Sequence, residues 1–271
     1  MRREWTVCYS VGQLWEPDHH GIFVERGSDL LFLFMQHLHL YYFSVRDNCI
    51  GEVPTFDCLK NPILAQNWTL VKKPFEHIIL NENCALNLQT LETYSDLSEL
   101  DCRAFQEHKD SLKELTEKDI VFGDFTIHHE GAFGFSCYHK GERRWKINCQ
   151  GYLYTPMELY KERFLMFGTA GYGGRFYNVD IENGEKLSEI KTNGTTHYIK
   201  DGDARLMLVL GKKAGVIHYL CTSGEVTETI SVPGIVQSDC LIYKYKDKLF
   251  VTSFEYKKGE ACRALMTCIT V

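Results

Sequence analysis

Gly-Glu hairpin heads recur roughly every 40–45 residues, each is preceded by an apolar strand, and the two chain ends complete each other. Together these predict an all-β fold, a β-propeller of about six four-stranded blades whose ring is closed by the N-terminal strand. The chain has 271 residues, a normal length for one closed β architecture with a sizeable core.

One unit is fully legible. Gly168 to Glu185 reads GTAGYGGRFYNVDIENGE. It is a glycine-rich turn, then Phe176, Asn178 and Asp180 alternating with Arg175, Tyr177, Val179 and Ile181, then Asn183-Gly184, residues that supply the positive φ angles of a tight hairpin. The same sentence occurs as GAFGFSCYHKGERRW (Gly131 to Trp145), as GVIHYLCTSGEV (Gly215 to Val226) and as LYYFSVRDNCIGEV (Leu40 to Val53). Glu52, Glu142, Glu185 and Glu225 stand 90, 43 and 40 residues apart. The first gap therefore holds two periods, the degenerate copy being CALNLQTLETYSDL (Cys84 to Leu97).

Six apolar strands precede these hairpins: LLFLF at Leu30, HIIL at His77, DIVFGDF at Asp119, RFLMFGT at Arg163, ARLMLVLG at Ala204 and KLFVTSF at Lys248. Six strands imply six blades. The last copy, ACRALMTCITV (Ala261 to Val271), lacks a fourth strand, while RREWTVC (Arg2 to Cys8) matches ERRWKINC (Glu142 to Cys149), with Trp5 in the part of Trp145. The N-terminus is expected to complete the last blade and so remove exposed sheet edges. Residues 1–271 form one domain in this reading, with 95–118 a charged insertion whose Ser111 to Lys118 stretch reads as a short surface helix or loop.

These repeats resemble the PQQ-like repeat propellers of the quinoprotein-like superfamily, whose blades read roughly Gly-Thr, Asp-Gly, Leu-Tyr-Ala-Leu-Asp, Thr-Gly-Glu, Trp. The resemblance covers Gly131 to Val226 best and implies architecture. The quinone enzymes of that family use eight blades and an adjacent-cysteine disulfide, neither of which this sequence carries, so no cofactor is expected.

Hydrophobic residues make up 44% and charged residues 24%, a globular composition. The longest apolar stretch, Leu30 to Phe34, is far too short to cross a bilayer. A net charge of -6 gives no electrostatic reason to bind nucleic acid or an anionic membrane. Eleven cysteines without a CxxC pair read as reduced, packed thiols, hence a cytoplasmic chain with neither a disulfide framework nor a zinc site.

In a propeller the loops between second and third strands, and those between blades, meet on one face around the central channel. The first set spans Met35 to His39, Asn81 to Asn83, Thr126 to Gly131, Gly168 to Gly174, Gly211 to Gly215 and Glu255 to Glu260. Three histidine groups fall on that face: Asp18-His19-His20, His37 with His39, and His128-His129-Glu130. Imidazoles beside carboxylates suit acid–base work or a divalent metal, but no ligand spacing supports a metal, and ordinary polar strand and loop residues are the favoured account. Glu16, Asp18, Asp124, Glu130 and Glu255 are the carboxylates that a funnel hydrolase or lyase would draw on. GTAGYGG precedes a strand rather than a helix, so it is no phosphate loop, and only Tyr172 and Arg175 are contact candidates there. Trp15, Tyr152, Tyr154, Tyr172 and Tyr256 are the loop aromatics suited to anchoring a protein or a sugar.

The sequence thus points to a non-catalytic interaction propeller, an immunity-like or regulatory binder of a protein partner. The alternative is a glycan- or small-molecule-acting propeller with its site in the funnel.

Overall fold

The computed structural model describes residues 1–12, 21–36, 39–54, 68–71, 76–81, 83–95, 97, 119–130, 134–150, 152–153, 157–170, 174–191, 196–201, 204–209, 215–220, 225–236 and 240–271. Among the described residues every regular element is a strand, and the strands form six sheets. Cα proximity groups the chain into two compact units. One comprises Met1–Cys8, Glu117–Lys258 and Leu265–Val271, the other Tyr9–Thr116 and Gly259–Ala264.

Strand β1 (Arg2–Gly12) opens the chain. The first sheet runs in order through β2 (Gly21–Arg26), β3 (Asp29–Gln36), β4 (His39–Ser44) and β5 (Cys49–Val53), and the second through β6 (Thr69–Val71), β7 (His77–Asn81), β8 (Cys84–Asn87) and β9 (Thr93–Tyr94). Strand β3 is apolar without interruption because both of its faces are covered. Leu33 and Met35, with Val24, Leu40 and Val53, join Trp68, Ile78, Leu80 and Leu86 of the second sheet in one core. On the opposite face Phe32 and Phe34 meet the Tyr9 ring edge-on at 5.0 and 4.9 Å. Each fully buried Leu or Phe contributes about 1.5–3 kcal/mol.

The third sheet is β10 (Ile120–Phe122), β11 (Phe125–His129), β12 (Gly134–His139) and β13 (Glu142–Asn148). The fourth contains β14 (Tyr152–Leu153) and β15 (Glu158–Tyr160), both paired with β16 (Phe164–Ala170), followed by β17 (Arg175–Asp180) and β18 (Lys186–Lys191). Period-two alternation sends Ile127, Phe135, Cys137, Trp145 and Ile147 to one face of the third sheet, where they pack on Leu165, Phe167, Tyr177, Val179 and Ile181 of the fourth. The Trp145 indole N–H donates to the Ile181 carbonyl across this joint at 2.7 Å.

The fifth sheet is β19 (Thr196–Asp201), β20 (Ala204–Val209), β21 (Gly215–Leu220) and β22 (Val226–Val232). The sixth has β23 (Ile242–Tyr245), β24 (Lys248–Glu255), β25 (Cys262–Thr270) and then β1, in that spatial order. The N-terminal strand is therefore the fourth strand of the C-terminal sheet, as the sequence leads one to expect. Polar contacts fasten it there: Thr6 and Thr267 hydroxyls lie 3.0 Å apart, and the Glu4 carboxylate accepts from Lys248 Nζ at 2.7 Å and Thr270 Oγ1 at 2.6 Å. Trp5 lies on the Phe250 ring at 6.0 Å, a contact within its own sheet, whereas Trp145 reaches from one sheet to the next.

Two backbone features show the repeat in register. In five of the sheets the residue after the third strand donates its N–H to the carbonyl of the residue just before the paired end of the second strand: Val45 to Leu30, Leu88 to Glu76, Lys140 to Asp124, Ile181 to Arg163 and Val271 to Asp247, all at 3.0 to 3.1 Å. In addition, the third-to-fourth strand pairings of the third, fourth and fifth sheets each shift register by one residue, so that Arg144, Leu187 and Thr227 are unpaired. Each sits two residues after its Gly-Glu or Asn-Gly-Glu glutamate, and such bulges twist an outer strand away from edge pairing. Cys84–Asn87 and Thr93–Tyr94 do form the third and fourth strands of the second sheet.

Four local expectations change. Glu52 does not head its hairpin: the turn occupies Val45–Asn48, with Asn48 at φ 49°, and Glu52 lies within β5 opposite Tyr41. Gly51 is there instead because the Tyr42 ring lies where a Cβ would stand. At Asn183-Gly184 only Gly184 takes positive φ (75°). The Asp180 carboxylate caps a longer turn by accepting the Glu182 N–H at 2.9 Å, and the Gly184 N–H closes it on the Asp180 carbonyl at 2.8 Å. DIVFGDF is two strands parted by a turn at Gly123-Asp124. Lastly, Thr126 to His129, Gly168 to Ala170, His39 and Glu255 belong to strands rather than loops, since their backbones pair with β12, β17, β3 and other neighbours.

Candidate functional site

Of the residues singled out in the sequence, Trp15, Asp18, His19, His20, His37 and Tyr172 lie outside the described residues, as do Glu16, Tyr154 and most of 95–118. The structure places His39, His128, His129, Glu130, Arg175 and Tyr256.

The richest arrangement is on the third sheet. Even-numbered side chains of β11 and β12 share one face with Lys146 of β13, and the register pairs His128 with Ser136 and Ser136 with Lys146. The His128 Nδ1–H donates to Asp119 Oδ1 at 2.6 Å, which fixes the tautomer and leaves Nε2 as the acceptor nitrogen. Ser136 Oγ and Lys146 Nζ both donate to Glu130, one to each carboxylate oxygen. The Lys146 ammonium first, and the Ser136 hydroxyl second, hold the Glu130 carboxyl below the usual carboxylate range. A polar row thus crosses the sheet as Asp119, His128, Ser136, Glu130 and Lys146. His129 is excluded from it by strand alternation: its ring faces the opposite side, 5.0 Å from Phe135.

An imidazole oriented by a carboxylate can accept a proton or bind a metal through its outer nitrogen. Here the neighbouring hydroxyl does not extend that relay, because Ser136 is committed to Glu130 and fully buried. Lys146 in turn neutralises Glu130. Among the described residues no three His, Cys, Asp or Glu side chains gather as metal ligands.

The first sheet repeats the theme. His39 Nδ1 lies 2.8 Å from Glu52 Oε1 on the adjacent strand, with both side chains half exposed. In the fourth sheet Arg175 Nε donates to Glu189 Oε1 at 3.0 Å, and the Arg175 backbone N–H donates to Thr169 Oγ1 at 2.9 Å. Asp124 pairs with Lys140 at 3.3 Å. Tyr256 differs from all of these: it stands 53% exposed in the β24–β25 connection, followed by exposed Lys257 and Lys258. Asp119, Ser136, Lys146 and Glu52 are the partners that a residue-type search misses. The shared face of 128, 136 and 146 gives two of them, Ser136 and Lys146, once the β12–β13 register is known; the Asp119 contact needs the β10–β11 turn.

No helix among the described residues is long and apolar enough to cross a membrane. The fold and these sites define an all-β protein of several four-stranded sheets with internally paired polar rows. No family model matches the chain, and no curated protein matches it. Among solved structures it is similar to BamB from Moraxella catarrhalis, at 10% identity over 99% of each chain with a TM-score of 0.34. It is also similar to a member of the DUF4221 family from Bacteroides vulgatus, at 11% identity over 100% of this chain and 99% of that one, with a TM-score of 0.35.

Proposed function

We propose that the six sheets are the blades of a β-propeller with PQQ-like repeats, closed through β1, and that the molecule is a non-catalytic scaffold binding another protein. The observation that carries the reading is the fate of the candidate polar residues. His39, His128, Glu130 and Arg175 are each engaged by a partner on their own sheet, which rigidifies a surface and leaves none of these four poised beside a nucleophile. Half-exposed Tyr256, followed by two lysines, is the type of side chain that anchors a protein interface, and Trp15 and Tyr172 belong with it in this proposal. Eight described cysteines are free and six of those are buried, which supports a reducing, cytoplasmic setting.

The test is affinity purification of the tagged protein from its native cell, followed by size-exclusion chromatography. A stoichiometric protein partner is expected, with affinity weakened about tenfold, roughly 1.4 kcal/mol, by Tyr256→Ala. A chain that elutes alone at every stage, or that binds a glycan through a site destroyed by His128→Ala, would overturn the proposal.

A further inference from the structure

The bulges give the third, fourth and fifth sheets a common register. The cross-strand pair beside each bulge is Cys137 with Trp145, Asn178 with Ser188 and Tyr219 with Glu228. Two residues further along each third strand the pairs are all apolar: Phe135 with Ile147, Phe176 with Ile190 and Ile217 with Ile230. Ser188 therefore occupies in the fourth sheet the position that Trp145 occupies in the third. The Trp145 indole reaches the Ile181 carbonyl of the neighbouring sheet, whereas a serine side chain is too short to make such a bridge.

Strand alternation sets the face on which the Asn178 and Ser188 pair lies. Tyr177 and Val179 pack toward the third sheet, so Asn178 and Ser188 lie on the opposite face, where Met166 and Phe176 form a small apolar cluster with Phe164 and Ile190. Strand β19 of the fifth sheet comes alongside β16 there. Asn178 is 0% exposed. Among the described residues neither its Oδ1 nor its Nδ2 has a hydrogen-bond partner, and the enclosed Ser188 Oγ has none either. Residues opposite each other on paired strands have Cβ atoms about 4.5–5.5 Å apart, yet these two side chains do not bond directly. A buried amide without partners is costly, and folded proteins satisfy such groups with other protein groups or with ordered water.

We propose that Asn178 and Ser188 form a buried water-binding site, with at least one ordered water bridging the amide and the hydroxyl. A water that accepts from Asn178 Nδ2 and donates to Ser188 Oγ serves both groups, and Asn178 Oδ1 accepts from the same water or a second one. The chemistry of the pair selects the ligand. Both side chains are uncharged and each can donate and accept, which suits a neutral molecule that does the same and gives an ion no countercharge. The third sheet thus closes on its neighbour through a direct indole bond, and this face of the fourth sheet closes through water.

The test is oxygen-17 magnetic relaxation dispersion on the full chain, which counts long-lived internal waters, together with a crystal structure of the parent protein. The folded double variant Asn178→Leu/Ser188→Ala is expected to hold at least one long-lived water fewer than the parent. In the crystal a water is expected within hydrogen-bond distance of both the Asn178 amide and Ser188 Oγ. Because one water serves both side chains, urea unfolding should show the double variant losing less stability than the two single variants together. If the Asn178→Leu variants do not fold, the crystal structure decides. An unchanged water count, strict additivity of the single variants, or a direct Asn178–Ser188 hydrogen bond with no water between them overturns the proposal. So does an organic molecule that co-purifies in native mass spectrometry and occupies the place in the crystal.

Discussion

The indole N–H of Trp145 and the thiol of Cys137 converge on one acceptor, the carbonyl of Ile181, at 2.7 and 3.9 Å. The same indole lies over Gly184, where a Cβ would come within 2.6 Å of Trp145 Cγ. The third sheet is thereby locked onto the hairpin of the fourth, with Asp180, itself 2% exposed and held by Arg163 at 2.7 Å, capping the turn from beneath.

Trp145→Phe should cost about 1–3 kcal/mol, because it leaves a buried carbonyl with only a weak thiol donor. Gly184→Ala should cost about as much, through the clash with the indole and the 75° φ that an alanine adopts poorly. Urea unfolding monitored by tryptophan fluorescence measures both. A loss below about 0.5 kcal/mol in either variant is surface-like behaviour and would contradict the lock.

Glu4 makes the attachment of β1 sensitive to acid. Hydrogen bonds from Lys248 and then Thr270 lower its carboxyl from 4.5 to about 2. Above pH 4.5 the group is ionised folded or unfolded and its contribution is complete. As pH falls toward 2 the unfolded chain takes up a proton that the folded chain refuses, so the contribution is lost. Melting temperatures of the parent and Glu4→Gln should differ most above about pH 5 and converge between pH 4.5 and 2. A constant gap across that range rules out the carboxylate as the cause.

The thiols should sort by burial. Loss of solvent pushes Cys137 up to about 11, and Cys149 and Cys268 up to about 12, whereas Cys49 is exposed. Since the thiolate is the reactive form, iodoacetamide at pH 8 should modify Cys49 in the native protein and reach the other three only in denaturant. Peptide mass spectrometry distinguishes this from uniform labelling, which would mean that the three sites open readily.

The sheets were legible in the sequence because a third strand such as Arg175–Asp180 alternates Phe176, Asn178 and Asp180 with Arg175, Tyr177 and Val179 and runs into a turn. The placement of β1 was legible because RREWTVC repeats the pattern of β13. Glu52 was misplaced because Gly-Glu occurs there for another reason, the Tyr42 ring above Gly51. At the site, His128 and Glu130 were found by residue type, but adjacent His129 was grouped with them although alternation sends it to the other face. The tie of His128 to Asp119 depends on the β10–β11 register, and that of Glu130 to Lys146 on the β12–β13 register, which a bulge at Cys137–Tyr138 shifts by one residue. Local spacing cannot reveal that shift.

Deleting residues 1–8 tests most directly whether these sheets form one closed structure. The deletion removes the fourth strand of the sixth sheet together with Glu4, Trp5 and Thr6 and exposes the edge of β25. Scanning calorimetry of the full chain should show one cooperative transition, and the shortened chain should melt as a whole at a markedly lower temperature. An unchanged transition, or loss of the sixth sheet alone while the rest melts as before, would contradict a ring closed through β1.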